Sequence, residues 1–95
     1  MKKGHKMIIQ YPVVFTKIND EKDTYLIEIP DLKGITEGYG LADAMKMAKD
    51  YIKCYCFDKA YKDLPKQSSI EEIDISKGVF SKDGNSDISI VDVNI

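Results

Sequence analysis

The chain has 95 residues, 43% of them hydrophobic and 32% charged, with a formal net charge of −2. That length supports one domain, over 1–95, with a single modest core, and no apolar run approaches the roughly 18 residues a membrane span requires. The start Met1-Lys2-Lys3-Gly4-His5-Lys6 is basic, but Met7-Ile8-Ile9 gives way at once to Gln10, Tyr11 and Pro12; no secretory leader is expected, and the expected compartment is the cytoplasm.

After a frayed basic start, in which His5 reads as a surface imidazole, Ile8 to Thr16 reads as a strand. Ile9, Tyr11, Val13 and Phe15 alternate with Ile8, Pro12, Val14 and Thr16, so both faces are largely apolar. Pro12 lacks a ladder donor, which favours an edge, a strand start or a bulge, and it is placed near the start of the well-paired segment. Asn19 to Asp23 is a hairpin loop. Thr24 to Ile29 returns as a second strand with Tyr25, Ile27 and Ile29 on one face and Leu26 and Glu28 on the other. A turn from Asp31 to Gly34 leads to a short edge strand, Ile35 to Glu37.

Gly38-Tyr39-Gly40 bends the chain into a helix, with Gly40 at the N-cap position and Asp43 in the first turn, where the dipole favours a carboxylate. Leu41, Ala44, Met45, Ala48, Ile52 and Tyr55, with Tyr51 beside them, form the apolar stripe, and Lys46, Lys49, Asp50 and Lys53 fall opposite. Cys54 and Cys56 lie two apart on this helix, so they point to different faces and cannot bridge each other. They read as reduced structural thiols.

The helical pattern fades through Phe57, Ala60 and Tyr61 and ends at Leu64-Pro65. Ser69 is placed to cap a short turn over Ile70 to Ile73, since Glu72 follows three residues on. Ile73 to Phe80 is expected to be extended, Lys82 to Asn85 is a turn, and Asp87 to Ile95 is a strand whose two apolar faces suit the inside of a sheet. The fold class is α+β: an antiparallel three-stranded meander, a long helix packed on it, and a final strand beside the first, in the order 3-2-1-4. A right-handed crossover predicts that this last pairing is parallel. With one long helix and two apolar sheet faces, the uncovered face is expected to meet a second copy or a partner, and a homodimer or higher homo-oligomer is expected.

Acids dominate the centre and the C-terminal third, whereas Lys2, Lys3, Lys6 and Lys17 precede the first of them. Such a body repels phosphate and attracts basic proteins. Metal-dependent nucleases of the ribonuclease H type need carboxylates in the middle of the first strand, and Tyr11-Pro12-Val13-Val14-Phe15 has none. No metal site, cofactor motif, nucleophile elbow or phosphate-binding glycine loop is legible. The lysines of the helix read as a solvated face, not a nucleic-acid reader.

Taken in order, Tyr11-Pro12-Val13-Val14-Phe15, Tyr25-Leu26-Ile27-Glu28-Ile29-Pro30-Asp31-Leu32-Lys33-Gly34, Thr36-Glu37-Gly38, Leu41-Ala42-Asp43-Ala44, Leu64-Pro65 with Ser68-Ser69, and Val91-Asp92-Val93 resemble the N-terminal domain of HicB-family antitoxins. The resemblance implies a partial ribonuclease H-like fold that binds and does not catalyse. Its partner in the family is a small basic HicA-like toxin that cleaves messenger RNA with a histidine, and the antitoxin covers that histidine and the RNA-binding surface. Many relatives continue into a DNA-binding domain after the last strand; none is visible here, so direct DNA binding is not expected.

The residues expected at the toxin interface are the acidic rim Glu28, Asp31 and Glu37, with Tyr11 and Tyr39 as aromatic anchors. A residual nuclease using Glu28, Glu37 and Asp92, and an oligomeric regulatory domain without a toxin, are the alternatives.

Overall fold

A computed structural model describes residues 7–95; Lys2, Lys3, His5 and Lys6 lie outside the described residues. The strands are β1 (Ile8–Lys17), β2 (Thr24–Ile29), β3 (Gly34–Tyr39) and β4 (Asn85–Asn94), and the helix α1 is Leu41–Cys56. They form one sheet in the order β3-β2-β1-β4 with α1 on one face. Alternation in β1 sends Ile9, Tyr11, Val13 and Phe15 towards the helix, where they pack with Ile27 and Ile29 of β2, Val91 and Val93 of β4, and Ala44, Ala48, Ile52 and Cys56 of α1. Two alanines at the centre of the helical stripe let α1 sit close to the sheet, and Ile52, fully buried, contributes about 2–3 kcal/mol of transfer free energy.

The stripe departs from expectation at its ends. Leu41 is 57% exposed, while Cys56, absent from the expected stripe, is buried and its thiol is pushed up by desolvation. Cys54 is exposed. Gly40 takes φ 86°, a region that favours glycine, and the Asp43 carboxylate reaches back to the Tyr39 amide at 2.9 Å.

The final pairing is antiparallel, not parallel. The reason is the path of residues 57–84. Phe57 ends α1 beside Asn94 and Ile95, and the chain then climbs back over the face opposite the helix: the Gln10 amide donates to Gln67 Oε1 (2.9 Å), the Val79 amide to Glu28 Oε1 (3.1 Å), and Gly84 comes against the Lys17 carbonyl. That extra traverse reverses the direction in which β4 enters. A short 3-10 turn at Ile75–Lys77 occupies part of the stretch expected to be extended, whereas the turn expected after Ser69 is present as a 3-10 turn at Ile70–Glu72, where Glu72 accepts the Ser69 amide at 2.8 Å.

The traverse also covers the middle of the second face, so Pro12, Val14 and Thr16 are buried within the chain itself. The Ile18 amide donates to Thr24, and alternation back along β1 turns the missing Pro12 donor to the same side. There β2, whose ladder starts at Val14, has already left. β4 is an edge strand despite its apolar centre.

Exposed carboxylates hold both the β1–β2 loop and the returning segment. Backbone and side-chain hydrogen bonds from Thr24 lower the pKa of Asp20, the Lys66 ammonium lowers that of Glu72, and Ser76 lowers that of Asp74. A group depressed in the folded state lets the unfolded chain take up protons first. Stability is therefore full above the ordinary carboxylate values of 3.8 and 4.5 and is lost as pH falls through the lower folded ones. The thermal midpoint is expected to be flat near neutrality and to fall on acidification, less steeply in Asp20→Asn; a midpoint that rises on acidification contradicts this.

Candidate partner-binding surface

Residues opposite one another in an antiparallel pair share a face. The β2–β3 register sets Thr24 against Tyr39, Leu26 against Glu37 and Glu28 against Ile35, so all six side chains lie on the face away from α1. The result is a checkerboard in which Glu28 and Glu37 are diagonal neighbours, about 7–8 Å apart, with Leu26 and Ile35 filling the other diagonal. Ile35 is 57% and Tyr39 50% exposed. The Tyr39 hydroxyl donates to Glu37 Oε2 at 2.7 Å, and that carboxylate raises the phenol pKa. Glu28 is half-buried, its Oε1 held by the amide of Val79, which is itself 62% exposed. This surface offers apolar contact and carboxylate acceptors together, a chemistry suited to a basic protein partner.

The structure therefore brings Glu28, Glu37 and Tyr39 together and separates the other expected residues from them. Asp31 follows β2 in a 3-10 turn, where Oδ2 accepts the Ser68 amide and Oδ1 the Ser68 hydroxyl, each at 2.8 Å. It fastens the returning chain to the end of β2. Tyr11 is corrected outright: it lies on the helix face with no exposure, its hydroxyl donates to the Pro65 carbonyl at 2.8 Å, and burial pushes its pKa up to about 12. Tyr11→Phe is expected to leave that carbonyl unpaired and cost about 1–2 kcal/mol, read as a lower denaturant midpoint with unchanged slope.

Ile35, Leu26 and Val79 were not singled out from sequence. Hairpin register alone would have found the first two, since it sets each of them opposite an acid.

Asp92 is held by Gln10 Nε2 at 2.9 Å on β4. Glu28 pairs with Val14 and Val14 with Ile88, so Asp92 stands about 10 Å across and about 13 Å along the sheet from Glu28. The trio proposed for a residual nuclease is not assembled. Among the described residues, no three His, Cys, Asp or Glu side chains group to hold a metal ion, and no helix is long and apolar enough to cross a membrane.

Protein-family models give no match to the chain, and curated protein sequences give none. Among solved structures, a chain of a toxin–antitoxin complex from Streptococcus pneumoniae superposes with a TM-score of 0.73 and 25% identity, over 92% of this chain and 69% of that one. This fold occurs in a toxin–antitoxin complex. The likeness spans nearly the whole of the present chain, so it takes in the sheet, α1 and the returning segment.

Proposed function

We propose that this protein is an antitoxin of the HicB type, with a partial ribonuclease H-like fold, which neutralises a small basic, mRNA-cleaving HicA-like toxin in the cytoplasm. The observation that carries the reading is the structural likeness to a chain of a toxin–antitoxin complex. The acidic and apolar face of β2 and β3 supports it: Glu28 and Glu37 compete with RNA phosphates for the toxin's lysines and arginines, while Ile35, Leu26 and Tyr39 supply area to be desolvated. Neutralisation follows from occupancy. A partner seated on this face covers the toxin's RNA-binding surface and its catalytic histidine, with no chemistry required of the antitoxin.

The lysines of α1 face solvent, and Lys46 is spent on Asp50 at 3.1 Å, so DNA contact has little support in this domain. Calorimetric titration with a small basic toxin of the HicA type, taken from an adjacent reading frame where one is encoded, tests the proposal. A stoichiometric complex at submicromolar affinity is expected, and no heat of binding at micromolar concentration would reject it. Because carboxylates steer the encounter, the association rate is expected to fall with added salt more than the dissociation rate rises.

A further inference from the structure

The sheet has two edges, and they differ. β3 is six residues long with glycine at Gly34 and Gly38, which leaves little regular edge to pair with. β4 is ten residues long, has no proline and no basic side chain, and keeps an unbroken register with β1 from Asn85 to Asn94. Met7 and Ile95 exchange both N–H···O bonds, at 3.1 and 3.0 Å. Antiparallel alternation then turns Val93, Val91, Ser89 and Asp87 towards β1 and sends the backbone groups of Ser86, Ile88, Ile90, Asp92 and Asn94 outward. This is a long, regular edge whose charges within β4 are Asp87 and Asp92 alone.

We propose that β4 pairs antiparallel with β4 of a second copy about a twofold axis at Ser89, so that one sheet runs through the dimer. Both copies offer their free groups on even-numbered residues, so even must face even, and the two helices lie on the same side of the sheet. An axis at Ser89 sets Ile88 of each copy against Ile90 of the other, Ser86 against Asp92 and Asp87 against Val91. No like charges oppose. Moving the axis to Ile90 or Val91 sets an isoleucine against Asp92, and moving it to Ile88 shortens the ladder and sets Ile90 against Ser86. The sequence of the strand is thus complementary to itself in one register.

A second feature agrees with that axis. Phe57, 86% exposed, stands at the end of α1 and shares a cavity with Asn94 and Ile95. At the other end of β4, on the helix side, a groove of about 610 Å³ is lined by Phe15, Tyr25, Leu41 and Met45 together with the charged Lys17 and Asp87. Pairing about Ser89 lays the Asn94 end of each strand beside the Gly84 end of the other. Phe57 of each copy then comes to the mouth of the other's groove, where Phe15, Tyr25, Leu41 and Met45 offer it apolar contact.

Sedimentation of the full chain at high micromolar concentration is expected to show a dimer. Ser89 faces its own symmetry mate in a non-hydrogen-bonded pair, with Cα atoms about 4.5 Å apart. Ser89→Cys in a Cys54→Ser background is therefore expected to form an interchain disulfide under mild oxidation, and Asp87→Cys in the same background is not. Ile90→Pro removes an amide that β1 does not use and is expected to weaken the dimer about tenfold or more, with an unchanged circular dichroism spectrum. Should that variant fail to fold, Phe57→Ser at the surface reads the same equilibrium. A monomer overturns the proposal, as does a dimer that Ser89→Cys fails to link. So does protection of the Ile88 and Ile90 amides that arises only when a toxin is added, which would assign the edge to that partner. The dimer needs no toxin, so its failure leaves the antitoxin reading standing.

Discussion

Ile35→Lys is expected to weaken the complex with the cognate toxin about a hundredfold, or about 2.7 kcal/mol, while leaving the fold nearly untouched. Ile35 is 57% exposed on the edge strand β3, opposite Glu28, where a lysine finds a carboxylate partner and costs the monomer within about 0.5 kcal/mol. In the complex the same lysine removes an apolar contact and sets a cation against a basic surface. Both losses act in the same direction. Calorimetry supplies the affinity and a thermal melt the control; an unchanged affinity removes the β2–β3 face from the interface. Glu37→Gln is milder. It keeps the shape and a hydrogen bond from Tyr39 but removes a steering charge, so the association rate falls and its salt dependence flattens.

Gly38→Ala is expected to cost about 2–4 kcal/mol, which for a domain of this size lowers the thermal midpoint by roughly 10–20 °C. A Cβ on Gly38 would stand 2.7 Å from Ala44 Cα and 2.8 Å from Ala44 N. Both are backbone atoms of α1, and no side chain can swing aside to relieve the contact. The helix must lift from β3, which loosens the packing of Ala44 and Ala48 on the sheet. The reverse substitution at exposed Ala42, Ala42→Gly, changes only helix propensity and is expected to cost about 1 kcal/mol or less. A melt of Gly38→Ala within a few degrees of the parent would show that the close approach of β3 and α1 is not needed.

Strand periodicity and the helical stripe made the meander, α1 and the strand order legible, because these depend on which residues alternate over short windows. The direction of β4 was hidden. It depends on a traverse shaped by contacts remote in sequence, such as Asp31 with Ser68, thirty-seven residues later, and Gln10 with Gln67. Those contacts also explain the misplaced site residues. A carboxylate after a proline looks free until its distant serine is known, and a tyrosine in a strand with two apolar faces can lie on either. Tyr11 fell to the helix side. Glu28, Glu37 and Tyr39 came together because they sit at alternate positions of a short hairpin, where register follows from one tight turn. The apolar half of that surface needed only the same register.

A titration of toxin-catalysed RNA cleavage with this protein tests the central claim most directly. Cleavage is expected to fall linearly and to stop at molar equivalence, with Ile35→Lys shifting the endpoint to large excess. Undiminished cleavage in the presence of excess folded protein would contradict it.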